Sequence, residues 1–565
     1  MDIGLELGRY EAEYIAATEQ LRQQRIIERI WQHDHTVWKP IPDEITNRLG
    51  WLRAPEHMKQ HLAQIESFVD EVRREGMTHA LLLGMGGSSL APEVFRAVFG
   101  VKPGYLDLAV LDSTVPGAVL SYARRLDPLR TLFIASTKSG GTVETISLTR
   151  YFHAHVQQTL SNELTGRHFI AITDPGSGLE SLAKEWKFRK IFLNDPNVGG
   201  RFSALTLFGL VPAGIVGIDL TRLLDRAHAM AQLCLQSPEN NPGAILGAAI
   251  GRLACVGRDK ITFLLSSSLT PLGAWIEQLI AESTGKEGTG IVPIIGEAMQ
   301  DAMAYSHDRL FVLITIASDG YDEQQVNKLM AAGHPVIKIV LNDRYDLGAE
   351  LFRWEMATAV ACYFLGVNPF DQPNVESAKA LARQMIARYQ RTNQLPDAEP
   401  TAVVDDIKIW SAKPVNGMNE AIRQLMDQAN PGQNGRGRSY VAIQAFLAPT
   451  AETDAALQKL RTAIQQKYQL ATMVGYGPRF LHSTGQLHKG DAGNGLFIQI
   501  TAAGDEDAVI PNPPGDSTTR IRFGTLALAQ ALGDYEALRA AQRKVVRFHL
   551  TGNIIRGIDA ITSSI

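Results

Sequence analysis

Cysteine is scarce in this chain. Cys234, Cys255 and Cys362 are the only three among 565 residues. They lie far apart with no CxxC pair, which excludes a disulfide framework and a zinc knuckle and fits a reducing cytoplasm. An excess of charge of one sign is also missing. Fifty-five Lys and Arg against 59 Asp and Glu leave a formal net charge of −4, which gives no basis for a nucleic-acid or anionic-membrane partner. No unbroken apolar run reaches the length of a bilayer span. The N-terminal MDIGLELGRYEAEYIAATEQLRQQRIIERIWQ is acidic and helical in pattern and lacks a basic n-region ahead of an apolar run, so the chain reads as soluble and cytoplasmic. Two nucleotide signatures are absent too. Ser89 stands where a GxGxxG loop needs its last glycine, and no Gly-Lys-Ser/Thr follows, which disfavours a nucleotide and favours a smaller phosphate.

What is present is ordinary for a globular protein: 45% apolar and 20% charged residues, at a length that calls for roughly two to four domains. Short apolar runs alternate with amphipathic stretches. THALLLGMG from Thr78, LDLAVLDS from Leu106, RTLFIASTKSG from Arg130 and RHFIAITD from Arg167 predict buried strands, and this βαβ rhythm predicts a parallel sheet with helices on both faces. The rhythm restarts after Leu220 with KITFLLSSSL, RLFVLITIASD and HPVIKIVLND. The polar stretch Gln390–Asp406 reads as a linker. Beyond it SYVAIQAFLAP, ATMVGYG and GLFIQITAAG read as strands, and Asn430–Arg438 as a flexible loop. The expectation is an α/β protein: a helical arm over 1–55, two doubly wound domains over 56–220 and 221–390, and a further α/β region over 391–565. HDHTVWKP in the arm reads as a solvated loop in preference to a metal site.

Four stretches can carry chemistry. LLLGMGGSSLAPEVF (Leu81–Phe95) runs from a strand through glycines and serines into a helix, where bare amides and a helix N-terminus suit a small anion. A turn that binds nothing has the same pattern. ASTKSGGTVET (Ala135–Thr145) repeats the arrangement, with hydroxyls at Thr137, Ser139 and Thr142, a charge at Lys138 and amides at Gly140 and Gly141. That set suits a phosphate monoester, the plain alternative being a capped helix. Two such loops on consecutive strands converge at one sheet edge, which favours the anion site. NVGGRFSALTLFGLVP (Asn197–Pro212) places Arg201 in a glycine turn, as a surface arginine or as one that reaches an anionic substrate. In QLIAESTGKEG (Gln278–Gly288), Gln278 and Glu282 lie four apart and share a helix face, while Leu272, Ile276 and Leu279 point elsewhere. Glu282 is either a surface residue or, partly desolvated, a general base.

Taken together and in this order, the four stretches resemble the phosphoglucose isomerase family, built from two sugar isomerase (SIS) domains. A fifth, NPFDQPNVESAK (Asn368–Lys379), is similar to the family's C-terminal signature, so the likeness covers roughly residues 50 to 390. The resemblance implies tandem SIS domains and interconversion of glucose 6-phosphate and fructose 6-phosphate through a cis-enediolate, with no metal or redox cofactor. It implies that Gly87, Ser88, Thr137, Lys138, Ser139 and Thr142 hold the substrate, that Arg201 stabilises the intermediate's charge, and that Glu282 is the base with Gln278 beside it. Gln372 and Lys379 would line the site from the second domain. A carboxylate can carry a proton between C1 and C2, a cation can steady the enediolate, and the phosphate is a remote handle that positions the reacting carbons. The implied partners are a phosphosugar and a second copy of the chain. Two alternatives stand beside this reading: a non-catalytic sugar-phosphate-binding SIS regulator, and an isomerase of another phosphosugar. Glu282 and Arg201 favour catalysis, and no basic helix-turn-helix-like segment supports a transcriptional regulator.

The chain departs from the family in one place. The family carries a Gly-x-Asn-Gly-Gln-His segment after the glutamate, whose histidine helps open the sugar ring across the dimer interface. The corresponding GIVPIIGEAMQDAMAYSHDRL (Gly290–Leu310) lacks it and holds only His307. RFLHSTGQLHKGDAGNG (Arg479–Gly495) offers His482 and His488 instead. That third region resembles the C-terminal extension of the isomerase half of transaldolase–phosphoglucose isomerase fusion proteins, and no transaldolase domain accompanies it here. The expectation is that this region closes as a lid with His482 and then His488 as ring-opening candidates, His307 of the second domain coming third, the plain alternative being that Lys379 and water open the ring under a covering loop.

Overall fold

The computed structural model describes residues 2–504, 506–512 and 520–565, apart from the side chains of Asp2 and Asn162. Three sheets organise it. In the first, five parallel strands lie in the order Asp107–Leu111, His79–Gly84, Thr131–Ser136, Phe169–Thr173 and Lys190–Leu193. Thr131–Ser136 is buried at every residue, as expected of a strand covered by helices on both faces. In the second sheet the order is Asp2–Glu6, Val336–Leu341, Arg309–Ile316, Lys260–Leu265 and Val292–Ile294, parallel except at the first edge. The third holds six strands, of which Gly495–Ala502, Tyr440–Phe446, Ala471–Tyr476 and Lys544–Leu550 are parallel, while Ile407–Trp410 and Ala402–Val404 extend it antiparallel.

Apolar contact is continuous between the first two sheets, running from Leu82 and Ile134 to Val312 and Ile337. The third sheet has its own core around Ile443, Ile498 and Phe548. Every strand expected from the sequence is present. Three expectations need correction. The helical arm opens with a strand, because Asp2–Glu6 finds an unpaired edge at Val336–Val340. The Gln390–Asp406 linker is shorter, since the helix Val375–Thr392 runs into it and Ala402–Val404 joins the third sheet. The glycine-rich Asn430–Arg438 loop is wedged against the second domain: a Cβ at Gly435 would lie 2.5 Å from the carbonyl oxygens of both Gly257 and His307. In HDHTVWKP, Val37 and Trp38 are buried, and the Trp38 indole donates to the Ala359 carbonyl at 2.8 Å.

Candidate active site

The chain leaves His79–Gly84 toward one side of the first sheet and returns to its other side at Thr131–Ser136. The loops that follow these two strands therefore diverge and leave a crevice at their carboxyl ends. Gly87 in the first loop is pressed against the Arg201 turn; a Cβ there would come within 2.0 Å of the Gly200 carbonyl oxygen. Only a residue without a Cβ permits that approach, and it sets Arg201 beside the loop. In the second loop Thr142 is the N-cap of the helix Val143–Gln157, and its hydroxyl lies 2.9 Å from that of Thr137. Ser139 is exposed at the rim. Hydroxyls and unpaired helix-end amides converge here, an arrangement suited to a phosphate. Lys138 is ion-paired with Asp174 and donates to the Pro196 carbonyl at 2.8 Å, so its charge is partly neutralised by the protein itself.

Glu282 lies in the last turn of the helix Leu272–Thr284. Its side chain is 12% exposed, and one carboxylate oxygen is 3.3 Å from the Arg201 guanidinium. The other accepts from Gln278 Nε2 at 3.0 Å. Arg201 is buried and saturated: it donates to Ser283 Oγ at 2.8 Å, Gln372 Oε1 at 2.9 Å, and the Pro369 and Asp371 carbonyls at 2.6 and 2.9 Å. The fork of a guanidinium suits this divided task. Lys286 fastens the same loop from below through the Asn368 carbonyl at 2.7 Å and the Asp371 carboxylate at 2.8 Å. Burial, with Arg201 nearby, lowers the Lys286 ammonium to about 8.

The third domain reaches this cleft through His482. Its Nε2 lies 2.9 Å from Glu144 Oε1, and its backbone carbonyl accepts from Gln278 Nε2 at 2.8 Å. Burial raises the Glu144 carboxyl, but the charge and hydrogen bond of His482 and its own helix N-terminus outweigh that and hold it below the usual range. The loop bearing His482 is fastened at both ends. Arg479 pairs with Asp112 at 2.5 Å and with Glu93. Buried Gln486 donates to the Gly285 carbonyl at 2.9 Å and to Asn374 Oδ1 at 2.7 Å, and accepts from the Asn374 amide at 2.8 Å. A Cβ on Gly285 would meet Leu487 Cα at 2.4 Å. The lid expected from the sequence is thus a docked wall, since these buried bonds would all have to break for it to swing.

A cleft of about 480 Å³ brings together Glu282, Arg201, Gln278, Gly87, Ser88, Thr137, Lys138, Ser139, Thr142, Gln372, Lys379 and His482. His488 is not among its walls, contrary to expectation. It is enclosed between the Phe480 and Phe497 rings and Gln444, and burial holds its imidazole well below the usual range. His307 is not among them either; it is exposed beside Gly435. Glu144, Arg48 and Asp174 were not singled out from the sequence. Glu144 stands within the ASTKSGGTVET stretch, so position alone could have nominated it. Arg48 and Asp174 line the cleft without any local signal. Among the described residues no cluster of potential metal ligands occurs, and no helix is long and apolar enough to cross a membrane.

A family model described as phosphoglucose isomerase matches residues 44–294. A glucose-6-phosphate isomerase of Thermus thermophilus is 30% identical over 389 residues, covering 60% of this chain and 90% of that protein. That of Carboxydothermus hydrogenoformans is 28% identical over 400 residues, covering 60% and 85%. Among solved structures, a hypothetical protein from Thermus thermophilus superposes with a TM-score of 0.59 at 26% identity, over 68% of this chain and all of that one. A glucose-6-phosphate isomerase from Chlamydia trachomatis shares the fold, with a TM-score of 0.57 at 19% identity over 66% and 86%. With the carboxylate, the guanidinium and both anion loops gathered at one sheet edge, and a relative matched over nine-tenths of its length, the chain belongs to the phosphoglucose isomerase family.

Proposed function

We propose that the protein is a glucose-6-phosphate isomerase, an aldose–ketose isomerase working by proton transfer through a cis-enediolate. The observation that carries this reading is the juxtaposition of Glu282 and Arg201, 3.3 Å apart, in a cleft whose far wall is the hydroxyl-rich second loop. A phosphate held by Ser139, Thr142 and the helix-end amides directs the sugar carbons toward Glu282. Glu282 takes the proton from C2 of the aldose and returns it to C1, while Arg201 stabilises the enediolate oxygen. A regulator that only binds sugar phosphate needs neither a proton carrier nor this cation.

Ring opening requires a group that exchanges protons near neutral pH, and histidine suits it. His482 fills that role, oriented by Glu144, which accepts from Nε2 and leaves Nδ1 for the sugar. Lys379 completes the wall and acts on the ring or the phosphate. The three free cysteines accord with work in a reducing cytoplasm. Purified protein offered fructose 6-phosphate should form glucose 6-phosphate, followed by a coupled dehydrogenase. Binding without turnover would assign the cleft to a sensor instead.

A further inference from the structure

We propose that Gln530, on the third-domain helix Phe523–Ala540, is a positioning residue for ring opening: its amide locks the Glu144 carboxylate that orients the His482 imidazole. The inference rests on the reading of His482 as the ring-opening group. Gln530 Nε2 donates to Glu144 Oε1 at 2.7 Å, the same oxygen that His482 Nε2 approaches at 2.9 Å. Gln530 Oε1 in turn accepts from the Thr114 hydroxyl at 2.7 Å. A carboxylate can only accept, so the nitrogen of the Gln530 amide must face Glu144 and its oxygen Thr114. The result is a chain Thr114–Gln530–Glu144–His482 that alternates between the first domain and the third, crossing the boundary three times.

The links are buried: Thr114 is 0%, Gln530 4% and Glu144 4% exposed. In so dry a setting an unpaired amide or carboxylate is costly, and a fully satisfied network holds one arrangement. The network also fixes a tautomer. Glu144 is kept ionised by His482 and by the N-terminal turn of its own helix, with a smaller contribution from the Lys379 charge. An ionised Glu144 requires the proton on His482 Nε2. Gln530 adds the second donor that stops the carboxylate from rotating away. Both Gln530 and His482 lie beyond residues 44–294, where the family model matches. The third domain thus contributes the histidine together with a clamp for its partner.

The test compares three variants on two substrates, with anomer exchange of glucose 6-phosphate by NMR as a direct reading of ring opening. Gln530→Leu should lower kcat/KM on cyclic glucose 6-phosphate about tenfold or more, the scale of losing orientation at a reacting group. On a 4,5-dideoxy hexose 6-phosphate, which cannot close a ring, it should stay within about twofold, which also certifies that the variant is folded. Gln530→Glu discriminates further. Protonated, the new carboxyl can still donate to Glu144; ionised, it repels it. Its activity on cyclic substrate should therefore recover as pH falls, against the parent's trend, which a merely structural residue would not produce. Equal losses on both substrates, or a Gln530→Glu profile parallel to the parent's, would overturn the proposal. His482→Ala separates the two readings. If it leaves anomer exchange intact, the ring-opening role of His482 falls and this inference with it. If it abolishes exchange while both Gln530 variants match the parent, only the inference falls.

Discussion

Replacing Glu282 by glutamine tests the base, and the structure shows why the change is not silent elsewhere. One carboxylate oxygen is ion-paired with the Arg201 guanidinium at 3.3 Å and the other accepts from Gln278 Nε2 at 3.0 Å. An amide presents one oxygen and one NH2, so one of those donors must now face another donor. With the oxygen kept on Arg201, the new NH2 opposes the Gln278 NH2. Gln278 can answer by flipping, since its own Oε1 is buried without a partner. Flipping, however, turns that oxygen toward the His482 carbonyl, which now receives its hydrogen bond at 2.8 Å. One unsatisfied buried group costs about 1–3 kcal/mol, so Glu282→Gln should lower stability by roughly that amount. Loss of the base should slow proton transfer by at least about 10²-fold, or about 2.7 kcal/mol. The assay is incorporation of solvent deuterium at C2 of glucose 6-phosphate, which reports the proton step apart from product release. Glu282→Asp, which keeps the charge but withdraws it by one methylene, should fall between. Deuterium incorporation by Glu282→Gln within about threefold of the parent would refute the assignment.

Ser139→Ala and Thr142→Ala should each raise KM more than they lower kcat, because a phosphate contact is made before and during the reaction; unchanged substrate affinity in both would place the phosphate elsewhere. Gly285→Val should undock the His482 loop, since a Cβ there would already meet Leu487 Cα at 2.4 Å. Turnover of cyclic substrate should fall well below that of an open-chain analogue, and equal turnover would show that the loop is not needed where it sits. Glu277 lines a small crevice beside Arg461, and burial, opposed by Arg461 and Arg479, raises its carboxyl from 4.5 to about 7. The folded state then binds the proton more tightly than the unfolded chain, so stability drains away as pH rises from 4.5 through 7, by up to about 3 kcal/mol. Glu277→Gln should raise Tm at pH 8 and change little at pH 4.5; no gain at pH 8 would mean the carboxyl is solvated.

The inner strands were legible because a parallel strand covered on both faces is an uninterrupted apolar run. Those missed lack that signature. Asp2–Glu6 is a five-residue edge whose partner lies at Val336–Val340, and Val292–Ile294 has three residues. Lys544–Leu550 hides behind its charges. Arg547 within it is 1% exposed, stacked 3.6 Å over Trp410 and paired with Asp397 at 2.7 Å, partners no local pattern announces. The site divides in the same way. Glycine and hydroxyl spacing marked the two loops, whereas Glu282 was singled out as a base only through the family resemblance. Glu144 reads locally as a carboxylate favouring a helix N-terminus, and it becomes part of the site only under the third domain. The sequence ranked His482 only one place ahead of His488; the turn Arg479–His482 and the helix Gly485–Gly490 send one to the cleft and the other into a core.

The antiparallel edge formed by Asp2–Glu6 has a consequence in time. Its partner strand ends at Leu341, so on a ribosome adding about 5–20 residues per second Asp2–Glu6 waits roughly twenty seconds to a minute for its neighbour. During that wait the second sheet lacks this pairing, and an unpaired strand is open to any other nascent chain. His482 emerges later still. The order of synthesis therefore builds the loops after the first sheet's strands first, Glu282 next and His482 last. A chain arrested between the second and third sheets would present the cleft without its His482 wall. Crowding at the ribosome, and chaperones that shield strand edges, should bear on the yield of this protein through five residues that never touch the sugar.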